Sequence, residues 1–328
     1  MLEKIAKTIQ SLTEAKRLWI GYSGGLDSHV LLELTVRAFK KFPDYQIGAV
    51  HVHHGISEFA DAWVKHCEQV CADLQVPLTV LWVDGRATDG RSPEEVAREA
   101  RFDALEKFLQ KDECLLLAHH EADQTETILL RLFRGCGPLG LSGMPDKATL
   151  GESQFIRPLL TVPKEEILQY AEEQKLTWVE DDSNANTRFD RNFLRHEILP
   201  KLSARWPRVV RSISRAGALC LETATAVQVL ANQDLNAIKG QNEHSLSVSR
   251  LLQLDPVRRR GVMRCWLQAQ GCSFPSRDHM ERIDREVLQA QPGAKPKLKI
   301  SDYEICRIRD ELTVTHLVQT QKDSFLPA

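Results

Sequence analysis

Apolar residues in the first 135 positions alternate between short continuous runs and stretches with helical spacing. The continuous runs are typical of buried β-strands and occupy Leu18–Tyr22, Ile47–Val52, Leu78–Val83 and Cys114–Ala118. Helical patterns lie between or after them, at about 26–41, 58–74, 93–110 and 121–134. Strands that are apolar throughout and separated by helices indicate a parallel sheet with helices on both faces. We therefore predict an α/β fold for this part of the chain.

The pattern changes in the second half of the chain. A helix is predicted from Pro163 to about 174, a long helical tract from about 206 to 237, and a linker over Gly240–Ser245. The elements predicted after it are two helices, Pro256–Ala269 and Ser276–Ala290, and three short strands, Leu298–Ile300, Tyr303–Ile308 and Leu312–Leu317. We predict three segments: an α/β domain over 1–203, a helical linker over 204–240 and a small α+β domain over 241–328.

The segment Ser23-Gly24-Gly25-Leu26-Asp27-Ser28 joins the first predicted strand to the first helix after it. Adjacent glycines let the backbone adopt positive φ and approach an anion closely, and the N–H groups of the following helical turn attract negative charge. Asp27 would repel a phosphate unless a cation lay between them, so the segment predicts a metal-bridged nucleotide. It is not a Walker A loop, because no Gly-Lys-Ser/Thr follows the glycines.

Polar residues also follow the other predicted strands, at His51–Gly55, Asp84–Gly85 and His119–Asp123. In parallel sheets, ligands bind beyond the carboxyl ends of the strands, so these clusters should converge on one edge. If helical spacing begins near His119, then His119, Asp123 and Glu126 share one helix face. Such a set could ligate Mg²⁺, orient a substrate amine or transfer a proton. The alternative is a charge near a helix terminus for Asp123 and a solvated charge for Glu126. His120, on the other side, is expected to be structural.

Arg98 and Arg101 are three residues apart on a predicted helix that Ser92 could cap. Arginines among acids at this spacing usually form surface pairs. If one of them faced the ligand edge, it could instead stabilise charge on a phosphoryl group.

The net charge of −2 gives no overall sign of nucleic-acid binding, and 42% hydrophobic and 27% charged residues are ordinary values. The positive charge is local: between Arg188 and Arg215, seven arginines and one lysine face only two acids, and a second cluster comprises Arg250, Arg258, Arg259, Arg260 and Arg264. This pattern favours binding of a folded RNA through its phosphates and shape. None of the eight cysteines forms a Cys-x-x-Cys pair, and no leader or membrane-length apolar run is evident, so we expect a cytoplasmic protein.

The segment Ser23–Ser28 resembles the Ser-Gly-Gly-x-Asp-Ser signature of the N-type ATP pyrophosphatases. Further segments narrow the resemblance to one family: Ala97–Phe102, Ala118–Thr127, Arg134–Met144, Glu180–Asn184 and Arg191–Pro200. Together, over about 17–202, they resemble the tRNA(Ile)-lysidine synthetase family. The segment after 245 resembles that family's first C-terminal domain more loosely.

The resemblance implies a parallel-sheet PP-loop ATPase domain, similar to the adenine nucleotide α-hydrolases, over 1–203 and a tRNA-binding domain over 241–328. It also implies a ligase that uses ATP and Mg²⁺. Such an enzyme adenylates C2 of the wobble cytidine of tRNA(Ile) with a CAU anticodon. Free lysine then displaces AMP, and decoding changes from AUG to AUA. A homodimer is compatible with the family.

By the same resemblance, the residues expected to bind the nucleotide are Ser23, Gly24, Gly25, Leu26, Asp27, Ser28 and His54, with Asp27 also holding the metal. Arg98 or Arg101 would stabilise the transition state of adenylation. Asp123 and Glu126 would hold the ammonium of the substrate lysine or take its proton, and His119 could assist in removing that proton. The expected RNA-binding residues are Arg191, Arg195, Arg205, Arg208, Arg258 and Arg259.

Two departures from the family pattern stand out: Ala122 occupies a position where the family often has a second aspartate, and the chain stops before a second C-terminal domain. Three other functions match parts of this pattern. A tRNA cytidine 2-thiolase would need cysteine pairs, and a small-molecule amide synthetase would leave the basic segments unexplained. A non-enzymatic ATP sensor would not need His119, Asp123 and Glu126 together.

Overall fold

The computed structural model describes residues 1–55, 57, 59–85, 93–180, 186–240, 242, 244–272, 276–291 and 293–317, with positions 93 and 94 described for the backbone alone. The chain forms two compact units, Met1–Leu221 and Glu222–Ala328. In the part of the chain that is described, no helix is long and apolar enough to cross a membrane.

A six-stranded sheet forms the centre of the first unit. Its strands are β1 (Arg17–Gly21), β2 (Gln46–His53), β3 (Leu78–Trp82), β4 (Glu113–Leu116), β5 (Lys147–Leu150) and β6 (Ser153–Ile156). They lie in the order β3-β2-β1-β4-β6-β5, and every neighbouring pair is parallel except β5 and β6. The first four strands match the prediction within two residues at each end, which confirms the parallel α/β fold.

The helices of the first unit cover both faces of this sheet. They are α1 (Leu2–Leu12), α2 (Leu26–Phe39), α3 (Ala60–Asp73), α4 (Pro93–Phe108), α5 (Glu121–Phe133), α6 (Pro138–Leu141), α7 (Lys164–Glu173), α8 (Asp190–Phe193) and α9 (Leu199–Arg205). A π-helical turn, Leu194–Ile198, joins α8 to α9. Side chains alternate along β1: Ile20 packs with Leu31 of α2 in one core cluster, and Trp19 packs with Leu115 in the other.

A long helix, α10 (Val209–Ala237), begins in the first unit and ends in the second. The second unit contains helices α11 (Val248–Gln253), α12 (Pro256–Ala269) and α13 (Arg277–Arg282), followed by a π-helical turn, Ile283–Leu288. Its strands are β7 (Leu246–Ser247), β8 (Lys297–Ile300), β9 (Tyr303–Ile308) and β10 (Glu311–His316). They form an antiparallel sheet in the order β7-β10-β9-β8 around a core that includes Leu251, Trp266 and Tyr303. The predicted small α+β unit is confirmed.

The parallel strands β1, β2, β4 and β6 run in the same direction, so their carboxyl ends lie at one edge of the sheet. The segments that follow these ends begin with Tyr22, His54, Leu117 and Arg157. The candidate site is built at this edge, as expected for an open α/β sheet.

Candidate active site

The segment Ser23–Ser28 leaves β1 and opens α2, as predicted. Gly24 adopts φ +85°, and a Cβ there would lie 2.9 Å from Cγ2 of Val179 and 3.2 Å from Sγ of Cys67. Gly25 is the N-cap of α2. Since glycine has no side chain to cap a helix, the first N–H groups of α2 are directed towards whatever binds beyond them.

Two serine hydroxyls fix the shape of this loop. The Ser28 hydroxyl donates to the Gly25 carbonyl at 3.0 Å and accepts from the Ser23 amide at 3.2 Å. The two hydroxyls of Ser23 and Ser28 are also 3.1 Å apart. The loop is therefore held in its curved form by its own side chains, which is the form that a phosphate group requires.

Asp27 is paired with a lysine that the sequence analysis did not identify. The Lys164 ammonium, in the first turn of α7, donates to both carboxylate oxygens of Asp27 at 2.7 and 2.9 Å. Nε2 of His120 lies 3.6 Å from the same carboxylate. Burial raises the pKa of Asp27, but its interactions with His120 and then Lys164 outweigh that effect and lower the pKa to about 2. Asp27 is thus a carboxylate at neutral pH, with a protein cation beside it.

Helix α5 begins at Glu121, as predicted, and His120 is its N-cap. The shared face expected for His119, Asp123 and Glu126 required helical spacing from His119, and this condition is not met. Nδ1 of His120 accepts from the Asp123 amide at 3.4 Å, and the Asp123 carboxylate accepts from the His120 amide at 3.0 Å. His119 consequently lies outside the helix and does not share a helix face with Glu126. His120, which was expected to be structural, caps the helix and also lies between Asp27 and Asp123.

Asp123 and Glu126 form a buried cluster with two arginines. Nε of Arg195 donates to Glu126 at 2.7 Å, and its Nη2 donates to Asp123 at 3.0 Å. Nε of Arg191 donates to Glu126 at 2.7 Å, and its Nη2 donates to Asp123 at 3.3 Å. The Glu126 side chain is only 1% exposed, and both of its carboxylate oxygens accept from these guanidinium groups. Burial opposes ionisation of Asp123, but nearby His120 and Arg191 hold its pKa below the usual value.

His119 contacts a second residue that the sequence analysis missed. Nε of Arg157 donates to Nδ1 of His119 at 3.1 Å. Arg157 directly follows β6, one of the two short strands that were not predicted. Recognising Phe155-Ile156 as the end of a strand would have placed Arg157 at the ligand edge.

His54 and Arg101 lie close enough to interact at the same edge. Burial, and after it the charge of Arg101, lowers the pKa of His54 to about 4. Nδ1 of His54 is buried and has no hydrogen-bond partner among the described residues, as expected where a ligand supplies one. The guanidinium of Arg98 lies 5.2 Å from the ring centroid of Phe102. The predicted cap of their helix, Ser92, lies outside the described residues.

The glycine-rich segment 134–145 is attached to α5. The side-chain amide of Gln124 pairs with the backbone of Met144, accepting at 2.7 Å and donating at 2.9 Å. Arg131 donates to the carbonyls of Gly140 and Gly143 at 3.1 and 2.6 Å. At Gly143 the backbone approaches Gln124 so closely that a Cβ would lie 2.5 Å from its Oε1.

The other arginines expected to bind RNA differ in their surroundings. Arg205 and Arg208 are exposed, and Arg205 lies over the ring of Trp206. In the second unit, Arg258 is 62% exposed and pairs with Asp234. Arg259 is 11% exposed and is held by Asp284 and by the carbonyls of Leu252 and Leu254.

The residues at the loop suit a metal-bound nucleotide. Mg²⁺ is commonly held by one or two carboxylates together with phosphate oxygens and water. Asp27 offers one carboxylate beside the glycine cradle, and the described residues contain no group of three or more His, Cys, Asp or Glu that could hold a metal without such help. A nucleotide phosphate would thus supply the remaining ligands.

Comparisons with known proteins agree with this architecture. A family profile described as a PP-loop domain matches residues 1–202, and a TilS substrate binding domain matches residues 246–313. The chain is 41% identical over 314 residues to the tRNA(Ile)-lysidine synthase of Coxiella burnetii, covering 96% of this chain and 69% of the relative. It is 42% identical over 303 residues to that of an Enterobacter species, covering 92% and 71%.

A solved structure shares the fold. The U34-tRNA thiolase NcsA from Methanococcus maripaludis, with its [4Fe-4S] cluster, is 20% identical with a TM-score of 0.55, over 67% of this chain and 77% of that chain. In the part of the present chain that is described, no cysteines group with other ligands to hold a metal. This likeness therefore supports the fold and does not favour the thiolase alternative.

Proposed function

This chain belongs to the tRNA(Ile)-lysidine synthase family and is a ligase that forms a carbon–nitrogen bond, and from this premise we propose how its residues divide the reaction. The C2 oxygen of the wobble cytidine of tRNA(Ile), in a CAU anticodon, attacks the α-phosphate of ATP, and pyrophosphate leaves. The lysine ε-amine then forms a bond to C2, the C2–O bond breaks, and AMP leaves with the oxygen. The product reads AUA instead of AUG.

The nucleotide is assigned to the loop at the start of α2. The departing pyrophosphate would be held by the backbone N–H groups and the hydroxyls of this curved loop, which comprises Ser23, Gly24, Gly25, Leu26, Asp27 and Ser28. The unpartnered Nδ1 of His54 would contribute a contact at the neighbouring strand end. When bound, Mg²⁺ would neutralise phosphate charge, and Asp27 is the residue that would hold it.

Adenylation adds negative charge to the α-phosphate, which a nearby guanidinium stabilises. The charge of Arg101 acts on both His54 and His119, and the charge of Arg98 acts on Arg157. Both arginines therefore lie close to the site, and we assign them to this step.

The substrate lysine is assigned to the N-terminal end of α5. Asp123 and Glu126 would bind its ammonium and accept a proton, since attack on C2 needs the neutral amine. Arg191 and Arg195 already neutralise both carboxylates. Binding of a third cation therefore favours release of an arginine, and a released guanidinium can bind an RNA phosphate. On this proposal, lysine and tRNA support each other's binding.

The remaining RNA contacts are assigned to Arg205 and Arg208 in the first unit and to Arg258 in the second. Arg259 would stabilise the RNA-binding surface through its bonds to Asp284 and to the carbonyls of Leu252 and Leu254. We further propose a catalytic domain over 1–203, a helical linker over 204–240 and a tRNA-binding domain over 241–328. A homodimer that works on tRNA in the cytoplasm completes the proposal.

The main support for placing adenylation and lysine transfer at one site is the position of His120. Nε2 of His120 lies 3.6 Å from Asp27 of the nucleotide loop and 3.5 Å from Asp123 of the carboxylate cluster. The amine-binding carboxylates and the phosphate-binding loop are therefore neighbours. A sensor that only bound ATP would not need this juxtaposition.

The test is transfer of radiolabelled lysine to tRNA(Ile) transcripts that differ only at the wobble base. We expect ATP-dependent incorporation into the transcript with cytidine at that position, with release of AMP and pyrophosphate. The variant Asp123→Ala should lose incorporation but still bind ATP, whereas the exposed Asp103→Ala should behave as wild type. Equal labelling of transcripts with another wobble base, or ATP turnover without RNA, would contradict the proposal.

A further inference from the structure

We propose that Arg157 is a positioning residue that fixes His119 as its neutral Nε2–H tautomer, so that His119 acts on the substrates as a hydrogen-bond donor and not as a base. The inference rests on the proposed function, which supplies the substrates that His119 would contact. It excludes one of the roles that the sequence left open for His119, which was to transfer a proton.

The guanidinium of Arg157 is held on three sides. Its Nε donates to Nδ1 of His119 at 3.1 Å, and its Nη1 donates to the Pro145 carbonyl at 2.6 Å. Its central carbon lies 4.7 Å from the ring centroid of Phe155. The whole residue is only 3% exposed. A buried cation is costly, and its principal side-chain partner here is a histidine instead of a carboxylate. Its position is therefore better explained by what it does to His119 than by its own stability.

The donor chemistry of arginine settles the tautomer. A guanidinium has N–H donors and no acceptor, so Nδ1 of His119 must be the acceptor in this contact. A neutral imidazole that accepts at Nδ1 carries its proton on Nε2. A proton on Nδ1 would break this contact in the neutral Nδ1–H tautomer and in the imidazolium alike, and the imidazolium would also place two cations side by side.

The charged groups around His119 reinforce this state. Burial is the main reason that its pKa is lowered, to about 3. Asp123, on α5, opposes the shift, but three arginines from three other elements favour the neutral ring: Arg157, Arg191 and Arg101. His119 is thus neutral across the physiological pH range, and the arginine contact determines which nitrogen keeps the hydrogen.

A neutral Nε2–H group can stabilise an oxygen that gains negative charge without transferring a proton to it. In the proposed reaction such oxygens are those of the α-phosphate and the C2–O group. The proton of the lysine ammonium then goes to a carboxylate, Asp123 or Glu126. The nitrogen lone pair forms the bond to C2, and the electrons of the C2–O bond leave with AMP. His119 neither gains nor loses a proton in this sequence.

The unmodified protein provides the first test. In protein labelled with ¹⁵N-histidine, long-range ¹H–¹⁵N spectra distinguish the two neutral tautomers. We expect the Nε2–H pattern for His119, assigned by comparison with the variant His119→Gln, and no protonation between pH 8 and 5. Two internal controls should show the opposite tautomer: Nδ1 of His51 donates to the Tyr22 carbonyl at 2.9 Å, and Nδ1 of His29 donates to the Thr177 carbonyl at 2.8 Å. An Nδ1–H pattern for His119, or its protonation within this range, would overturn the inference.

Variants provide the second test. Arg157→Met should give a mixture of His119 tautomers, and Arg157→Lys should restore part of the Nε2–H population together with part of the lysine-transfer rate. The amide nitrogen of Gln can replace Nε2–H, whereas that of Asn lies near the position of Nδ1. His119→Gln should therefore stay within about tenfold of the wild-type turnover, and His119→Asn should lose about 10²–10³-fold. If His119 were the base, both variants would lose about 10²–10⁴-fold, and the inference would be wrong.

These outcomes are separable from failure of the proposed function. A wild-type protein that transfers no lysine would contradict the function, while the tautomer of His119 can be read from its spectrum in either case.

Discussion

Replacing Lys164 by methionine removes the protein cation that contacts Asp27 beside the nucleotide-binding loop. The lysine ammonium lies 2.7 and 2.9 Å from the two carboxylate oxygens. A lysine in the first turn of a helix faces the unfavourable end of the helix dipole, so the stability of α7 does not explain its position. We predict that Lys164→Met weakens ATP binding far more than it destabilises the fold.

The exposure of Lys164 sets the size of the effect on stability. Its side chain is 40% exposed and that of Asp27 is 31% exposed. Solvent-accessible ion pairs typically contribute about 0.2–1 kcal/mol, so the melting temperature of Lys164→Met should fall by less than about 4 °C. Because the pKa of Asp27 is lowered to about 2, the pair's stabilisation is present above pH 3.8 and is lost as the pH falls through 2.

The effect on ATP binding should be larger. Asp27 is a carboxylate at neutral pH, so the variant leaves its negative charge without the Lys164 ammonium beside the proposed phosphate site. If that ammonium donates to a phosphate of bound ATP, loss of the charge-assisted hydrogen bond costs about 1.5–3 kcal/mol, which would raise the dissociation constant for ATP by roughly 10- to 150-fold.

Equilibrium titration with ATP at neutral pH, without tRNA, measures this change. Lys7→Met, at an exposed position of α1, is the matched control and should bind ATP as wild type does. Lys164→Arg keeps the charge and should fall between wild type and Lys164→Met. Wild-type ATP affinity in Lys164→Met would refute the reasoning, and so would an equal loss in Lys7→Met.

Two further substitutions test how the structure is held together. Gly143→Ala should destabilise the protein by about 1–3 kcal/mol, because Gly143 has φ +73° and a Cβ would lie 2.5 Å from Oε1 of Gln124. Gly137→Ala in the same segment should not, since its Cβ would meet no described atom within 4 Å; equal melting temperatures for the two variants would contradict this. In the second unit, Arg259→Met should lower the denaturation midpoint by removing bonds to Asp284 and to two carbonyls, while Arg258→Met should mainly weaken tRNA binding and its salt dependence. The reverse pattern would show that Arg259, and not Arg258, lies at the RNA surface.

Hydrophobic patterning was sufficient for most of the fold because each of β1 to β4 contains a run of mainly apolar residues and the helices between and after them have helical spacing. It failed for β5 and β6. Each is four residues long, and both contain polar residues, such as Lys147 and Gln154. Their turn uses Gly151 at φ +58°, but a single glycine is too weak a signal to identify a hairpin. Missing β6 also hid Arg157.

The sequence also identified the loop and the carboxylates but not their partners. Spacing rules apply only within one element, whereas Lys164 lies 137 positions from Asp27 and Arg157 lies 38 positions from His119. The shared face of His119, Asp123 and Glu126 failed for a different reason. It required helical spacing from His119, but His120 is the N-cap of α5, and histidine is not among the residues that usually mark an N-cap.

The cluster at the N-terminal end of α5 shows why the sequence alone misleads about its acids and arginines, since it suggests separate roles for residues that contact one another in the fold. Asp123 and Glu126 point to a bound amine, and Arg191 and Arg195 point to RNA, when each pair is considered by itself. In the fold the four side chains form one group, in which each arginine contacts both carboxylates. Removing one arginine would leave each carboxylate with a single guanidinium partner, and a substrate ammonium could take the vacated place. On the proposed function, amine binding and phosphate binding would therefore depend on the same ion pairs.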